Sequence, residues 1–63
     1  MTYERYFEVR YTPRTEPRVE FLSRFDSEQE ARLQFEKFAE QKRIVSVELI
    51  EVIRLKLGTA FKV

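Results

Sequence analysis

The sequence predicts an α+β domain of ββαβ layout, a three-stranded antiparallel sheet of order 2-1-3 with one helix packed on one face. Three observations predict it. Two runs of alternating apolar and polar residues flank the proline-bearing stretch Thr12 to Pro17, an amphipathic run of helical period follows, and a β-branched run from Ile44 to Leu57 completes the pattern. We read residues 1–63 as a single domain, with strands about 3–11, 18–25 and 44–57, a helix about 28–43 and a tail 58–63.

In the first run Tyr3, Arg5, Phe7, Val9 and Tyr11 point one way and Glu4, Tyr6, Glu8 and Arg10 the other, the period of a half-buried strand. Pro13 and Pro17 mark a hairpin connection. After it Val19, Phe21, Ser23 and Phe25 alternate with Arg18, Glu20, Leu22 and Arg24. Like charges directly opposite one another are unfavourable. A register pairing Tyr11 with Val19 sets Arg10 opposite Glu20 and Tyr6 opposite Arg24, and is expected over a slip that sets Glu8 against Glu20.

Ser27 followed by Glu30 has the spacing of a capping box, and the acids of that turn suit the positive end of a helix dipole. The helix therefore begins near Glu28. Ala31, Phe35, Phe38 and Ala39 form its apolar stripe, Glu28–Arg32 and Arg32–Glu36 are i,i+4 pairs, and Leu33 lies on the opposite side. Lys42 and Arg43 supply positive charge at the expected C-terminal end.

The last run reads as a long third strand. Val45, Val47, Leu49, Ile53, Leu55 and Leu57 share one face, interrupted by Glu51, while Ile50 and Val52 lie on the other. The helix returns the chain along the sheet, which makes this strand parallel to the second and antiparallel to the first. The stripe is then expected over Phe7, Val9, Val19, Phe21, Val47 and Leu49.

Composition excludes several function classes. The 63 residues include no cysteine and no histidine, which removes disulfides, thiolate chemistry, the usual zinc ligands and imidazole catalysis. One glycine leaves no phosphate-cradling loop, and no carboxylate run has the spacing of a calcium loop. No catalytic, cofactor-binding or metal-binding residue is expected, and the reading is of a non-enzymatic protein. With 43% hydrophobic residues, six Phe and three Tyr, the chain can order itself despite 37% charge. The N-terminal residues show no signal-peptide pattern and no apolar run reaches a membrane span, so the expected location is cytoplasmic.

Two surfaces are expected to bind. On the uncovered sheet face Tyr6, Leu22, Ile50, Val52 and Arg24 form an apolar centre with a charged rim, the pattern of a protein interface. Bulges at Leu49-Ile50 and Val52-Ile53 are the alternative, turning Ile50 and Val52 inward. The third strand outruns its neighbour, and Ile53, Leu55 and Leu57 on the overhang are expected to pair with a second chain as a homodimer, unless Gly58 folds residues 59–63 back as a fourth strand. A different class of partner, single-stranded nucleic acid, is suggested by Tyr3, Tyr6 and Tyr11 among five arginines in the hairpin. Five acids in the same 26 residues argue against it.

The strand–connection–strand order, then Phe25-Asp26-Ser27-Glu28-Gln29-Glu30-Ala31 leading an amphipathic helix into a Val/Glu/Leu strand, resembles the layout of small phage-encoded ββαβ proteins, among them a T7-type inhibitor of bacterial RNA polymerase. The resemblance spans residues 3–57 and lies in the layout. It implies an accessory protein that docks on and blocks a larger host protein, and it carries no binding residue over to this chain.

Overall fold

The computed structural model describes residues 2–61. Strand β1 (Thr2–Pro13), strand β2 (Phe21–Phe25), helix α1 (Glu28–Ala39) and strand β3 (Ile44–Lys56) follow in chain order. The sheet has the order β2-β1-β3, and β1 is antiparallel to both neighbours.

The β1–β2 register differs from the expected one by two residues. Tyr11 pairs with Phe21, Arg10 with Leu22, Glu8 with Arg24 and Phe7 with Phe25. Two successive turns account for it, Glu16 N–H donating to the Pro13 carbonyl and Val19 N–H to that of Glu16. They hold residues 14–20 in the connection, where Pro17 has no N–H to give a ladder. Val19 is left outside the sheet, 43% exposed, and does not lie under the helix as expected. Phe25 takes its place in the core. The shift is even, so every side chain keeps its expected face.

Ser27 caps the helix, its Oγ accepting from Glu30 N–H at 3.4 Å. Arg32 turns to Glu28, at 4.0 Å. The helix ends four residues before the expected 43, because beyond Ala39 no apolar side chain continues the stripe. Lys42 and Arg43 lie instead in a turn that the first connection clamps. There Arg14 N–H donates to the Arg43 carbonyl at 2.6 Å and Arg14 Nε to that of Lys42 at 3.2 Å.

Phe7, Val9 and Ala31 are the buried centre, with Phe25, Phe35, Phe38, Val47 and Leu49 packed around them. Tyr11 stacks on Phe21 and packs at a tilt against Phe38, with centroids 5.5 and 4.3 Å apart, and seals the end where the helix finishes. At the other end Arg5 lies over the Phe7 ring and binds Glu51 at 2.8 Å. Glu51 therefore stands at the limit of the helix-covered core. A register shift at Thr12/Pro13 leaves Val45 unpaired and sets Ile44 opposite Pro13. Ile44, in place of the expected Val45, thus joins the helix side.

Two outcomes are expected of urea denaturation followed by circular dichroism. Val9→Ala costs about 2 kcal/mol, since its side chain is wholly buried. Leu33→Ala, on the exposed side of α1, shifts stability by less than about 0.5 kcal/mol. Equal losses at both positions would mean that α1 packs on another face.

Candidate functional site

Among the described residues no element covers the outer sheet face. Its rows follow from the register: Tyr6 lies opposite Val52, Glu8 between Arg24 and Ile50, Arg10 between Leu22 and Glu48, and Glu4 opposite Arg54. Pairing of β1 with β3 is continuous from Thr2↔Lys56 to Thr12↔Ser46, with no bulge at Leu49-Ile50 or at Val52-Ile53. Ile50 and Val52 therefore share the face of Tyr6, half-buried, and are not turned inward.

The face is layered by charge. Arg24 sits over the Tyr6 ring with its guanidinium carbon 3.7 Å from the centroid, a diagonal contact that leaves Tyr6 only 8% exposed. Glu8 is buried beside it and accepts from Arg10 through both Nε and Nη2 at 3.0 Å. Arg10 also reaches Glu20 at 3.6 Å, and Arg54 meets Glu4 at 3.8 Å. The hydrogen bond and charge of Glu8 hold the Arg10 guanidinium above its ordinary pKa; desolvation opposes them, and Glu20 and Glu48 add to them. Among the described residues no buried side-chain nitrogen or oxygen is left without a partner.

Tyr6, Ile50, Val52 and Arg24 thus come together at the centre, and Leu22 lies at the β2 margin, 53% exposed. Base stacking needs an open aromatic face. Tyr6 has its ring covered, and Arg5, Arg10 and Arg54 are each bound to a carboxylate.

The overhang differs from its expected form. Its backbone is not unpaired, because β1 runs to Thr2 and pairs Tyr3 with Leu55 and Arg5 with Ile53. What is bare is one face of this two-stranded ribbon. Tyr3, Ile53 and Leu55 extend the helix-side face beyond the helix and are 61%, 58% and 55% exposed. Leu57 follows the end of β3 and is 75% exposed. Residues 57–61 form no strand, and no atom lies within 4 Å of where a side chain on Gly58 would begin. Among the described residues, then, there is no returning fourth strand.

Sequence reasoning missed two features. Glu8 is a buried acid, legible only once Arg24 and Ile50 are known to flank it. Tyr3 belongs to the bare ribbon face, a placement that depends on the length of the helix.

A shallow depression at the far end, lined by Tyr11, Pro13, Phe38, Gln41, Arg43 and Ile44, contains no carboxylate. Among the described residues no cluster of three or more acids is placed to hold a metal, and no helix is long and apolar enough to cross a membrane. Comparison with protein-family models, curated proteins and solved structures finds no match.

The Arg24–Tyr6 contact is measurable by a double-mutant cycle. Tyr6→Leu and Arg24→Ala are expected to couple by about 0.5–1 kcal/mol, the range for a cation over an aromatic face. The Glu4–Arg54 pair, long and exposed, should couple by about 0.3 kcal/mol or less. A reversed order would mean that the ring is not what holds Arg24.

Proposed function

We propose that the chain is a non-enzymatic protein-interaction module that docks on a larger protein through its outer sheet face. The observation that carries this reading is the composition of that face, with Tyr6, Ile50 and Val52 half-buried or better at its centre and no element above them. Around them Glu4 with Arg54, and Arg10 with Glu8 and Glu20, already neutralise one another, so docking desolvates few unpaired charges. The complementary partner is a protein surface with an apolar centre and charges of both signs at its margin.

The ββαβ layout supports the finer reading of a phage-type inhibitor or modulator of a host protein, acting in the cytoplasm, where a chain without cysteine loses nothing. Carboxylates bound to arginine, as Glu4, Glu8, Glu20, Glu28 and Glu51 are, make poor general acids or bases, which supports a non-catalytic role.

Leu22→Glu tests the reading, because Leu22 is exposed on this face and far from the β3 edge. The tagged wild-type chain should retain one host protein in stoichiometric amount, and the variant, folded by circular dichroism, should lose it at least tenfold. Retention by both, or by neither, sinks the proposal. Labelled single-stranded oligonucleotides titrated at low salt are expected to show no saturable binding.

A further inference from the structure

We propose that two copies of this chain join through β3, edge to edge and antiparallel, about a two-fold axis at Glu51, forming a six-stranded sheet. The starting observation is an uncovered edge. β3 is the outermost strand, thirteen residues long, without proline or bulge from Ser46 to Lys56. Such an edge pairs with another strand unless something blocks it. Among the described residues the chain's own tail does not, since residues 57–61 form no strand.

The β3 sequence is complementary to itself in this register. On the outer face it reads Glu48, Ile50, Val52, Arg54 at alternate positions. Laid antiparallel on a copy about Glu51, each Glu48 meets the other copy's Arg54 and each Ile50 meets Val52, acid to base and apolar to apolar. On the helix side Val47 meets Leu55 and Leu49 meets Ile53. Moving the axis one residue, to Val52, keeps an acid-to-base pair in Glu48 with Lys56 but sets Ile50 against Arg54 and Glu51 against Ile53, and loses the apolar match. Among the described residues Glu48 has no ion pair within its own chain, and the second copy supplies one.

The same axis accounts for the bare ribbon. Glu51 marks the limit of the helix-covered half of the sheet, so the axis sets the uncovered half of each copy beside the covered half of the other. The two helices then lie on one face without meeting, each flanking the other copy's Ile53 and Leu55. Tyr3, Ile53, Leu55 and Leu57 expose on the order of 500 Å² per copy, within the range of functional patches. At the axis the two Glu51 face each other, each held by its own Arg5 at 2.8 Å.

The pairing does not rest on the docking reading above, but it fuses two outer faces into one surface and brings Ile50 and Val52 of both copies to its middle. Sedimentation equilibrium of the full chain should give twice the chain mass. Glu48→Arg alone and Arg54→Glu alone each set like charges across the join twice, and each should sediment as a folded monomer. Mixed in equal amounts, the two variants should recover the dimer, because every crossing pair is again acid to base, a rescue that a general loss of stability would not give. In a chain without cysteine, Glu51→Cys should oxidise to a covalent dimer, since directly opposed residues lie within disulfide reach, while Val45→Cys should not. A monomer mass at the highest soluble concentration, unaltered association of the single variants, no rescue on mixing, or equal crosslinking at 45 and 51 overturns the proposal. A monomer that still retains a host protein, and loses it with Leu22→Glu, overturns the pairing and leaves the docking reading standing.

Discussion

A mismatch of lengths governs this molecule. β1 and β3 pair over about 40 Å of ribbon, at about 3.3 Å per residue, whereas a twelve-residue helix rises only about 18 Å. One helix therefore covers about half the ribbon. On the helix-side face Val9, Val47 and Leu49 under the helix belong to the core, whereas Tyr3, Ile53 and Leu55 beyond it are exposed, although the strand sequences barely change character between the halves. The long axis of 46 Å and radius of gyration of 15.1 Å, against about 11 Å for a compact domain of this length, express the same mismatch. So does the core, where only Phe7, Val9 and Ala31 are buried together. A chain this small has little hydrophobic burial to offset the entropy of ordering it, and without cysteine it has no disulfide to add.

Charge on the outer face works by a different rule. Lacking a layer above, its hydrophobic residues are shielded by long side chains lying across them, with Arg24 over Tyr6 and Arg10 reaching Glu8 and Glu20. Arg24 lays its guanidinium on the Tyr6 ring, while that of Arg10 stays paired with Glu8 and Glu20. On the docking reading proposed above, a partner reaches the apolar centre by displacing Arg24 from the Tyr6 ring.

The strand order, the helix start at Ser27 and the faces of β1 and of β3 from Ser46 onward were legible because each rests on a local rule: connection geometry, a capping side chain, alternation. The hairpin register was not legible, because both contacts used to choose it form in the actual register as well. Arg10 reaches Glu20 and Arg24 reaches Tyr6 diagonally, so long side chains satisfy the same pairs two residues out of step. The helix end was over-read because cations after Ala39 suit a helix terminus and a tight turn equally well. At the candidate site, Tyr6, Ile50 and Val52 were placed by alternation alone, whereas the bare ribbon face required knowing where the helix stops. Glu51 shows the difference most clearly. In the sequence it interrupts an apolar face; in the fold it marks where that face leaves the cover of α1.

An exposed edge of thirteen residues invites chain after chain, and the remaining question is why joining at β3 would end at two. A two-fold pairing consumes both β3 edges and leaves only the β2 side of each copy at the rim of the sheet. There β2 is five residues long, preceded by a connection containing Pro17 and carrying Arg24. The stretch of β1 that β2 does not reach carries Glu4 and Arg5. Short, charged and proline-guarded edges are those that resist further pairing. On the proposed pairing the long strand and the short one take complementary roles, one joined to a second copy and the other stopping the sheet from growing.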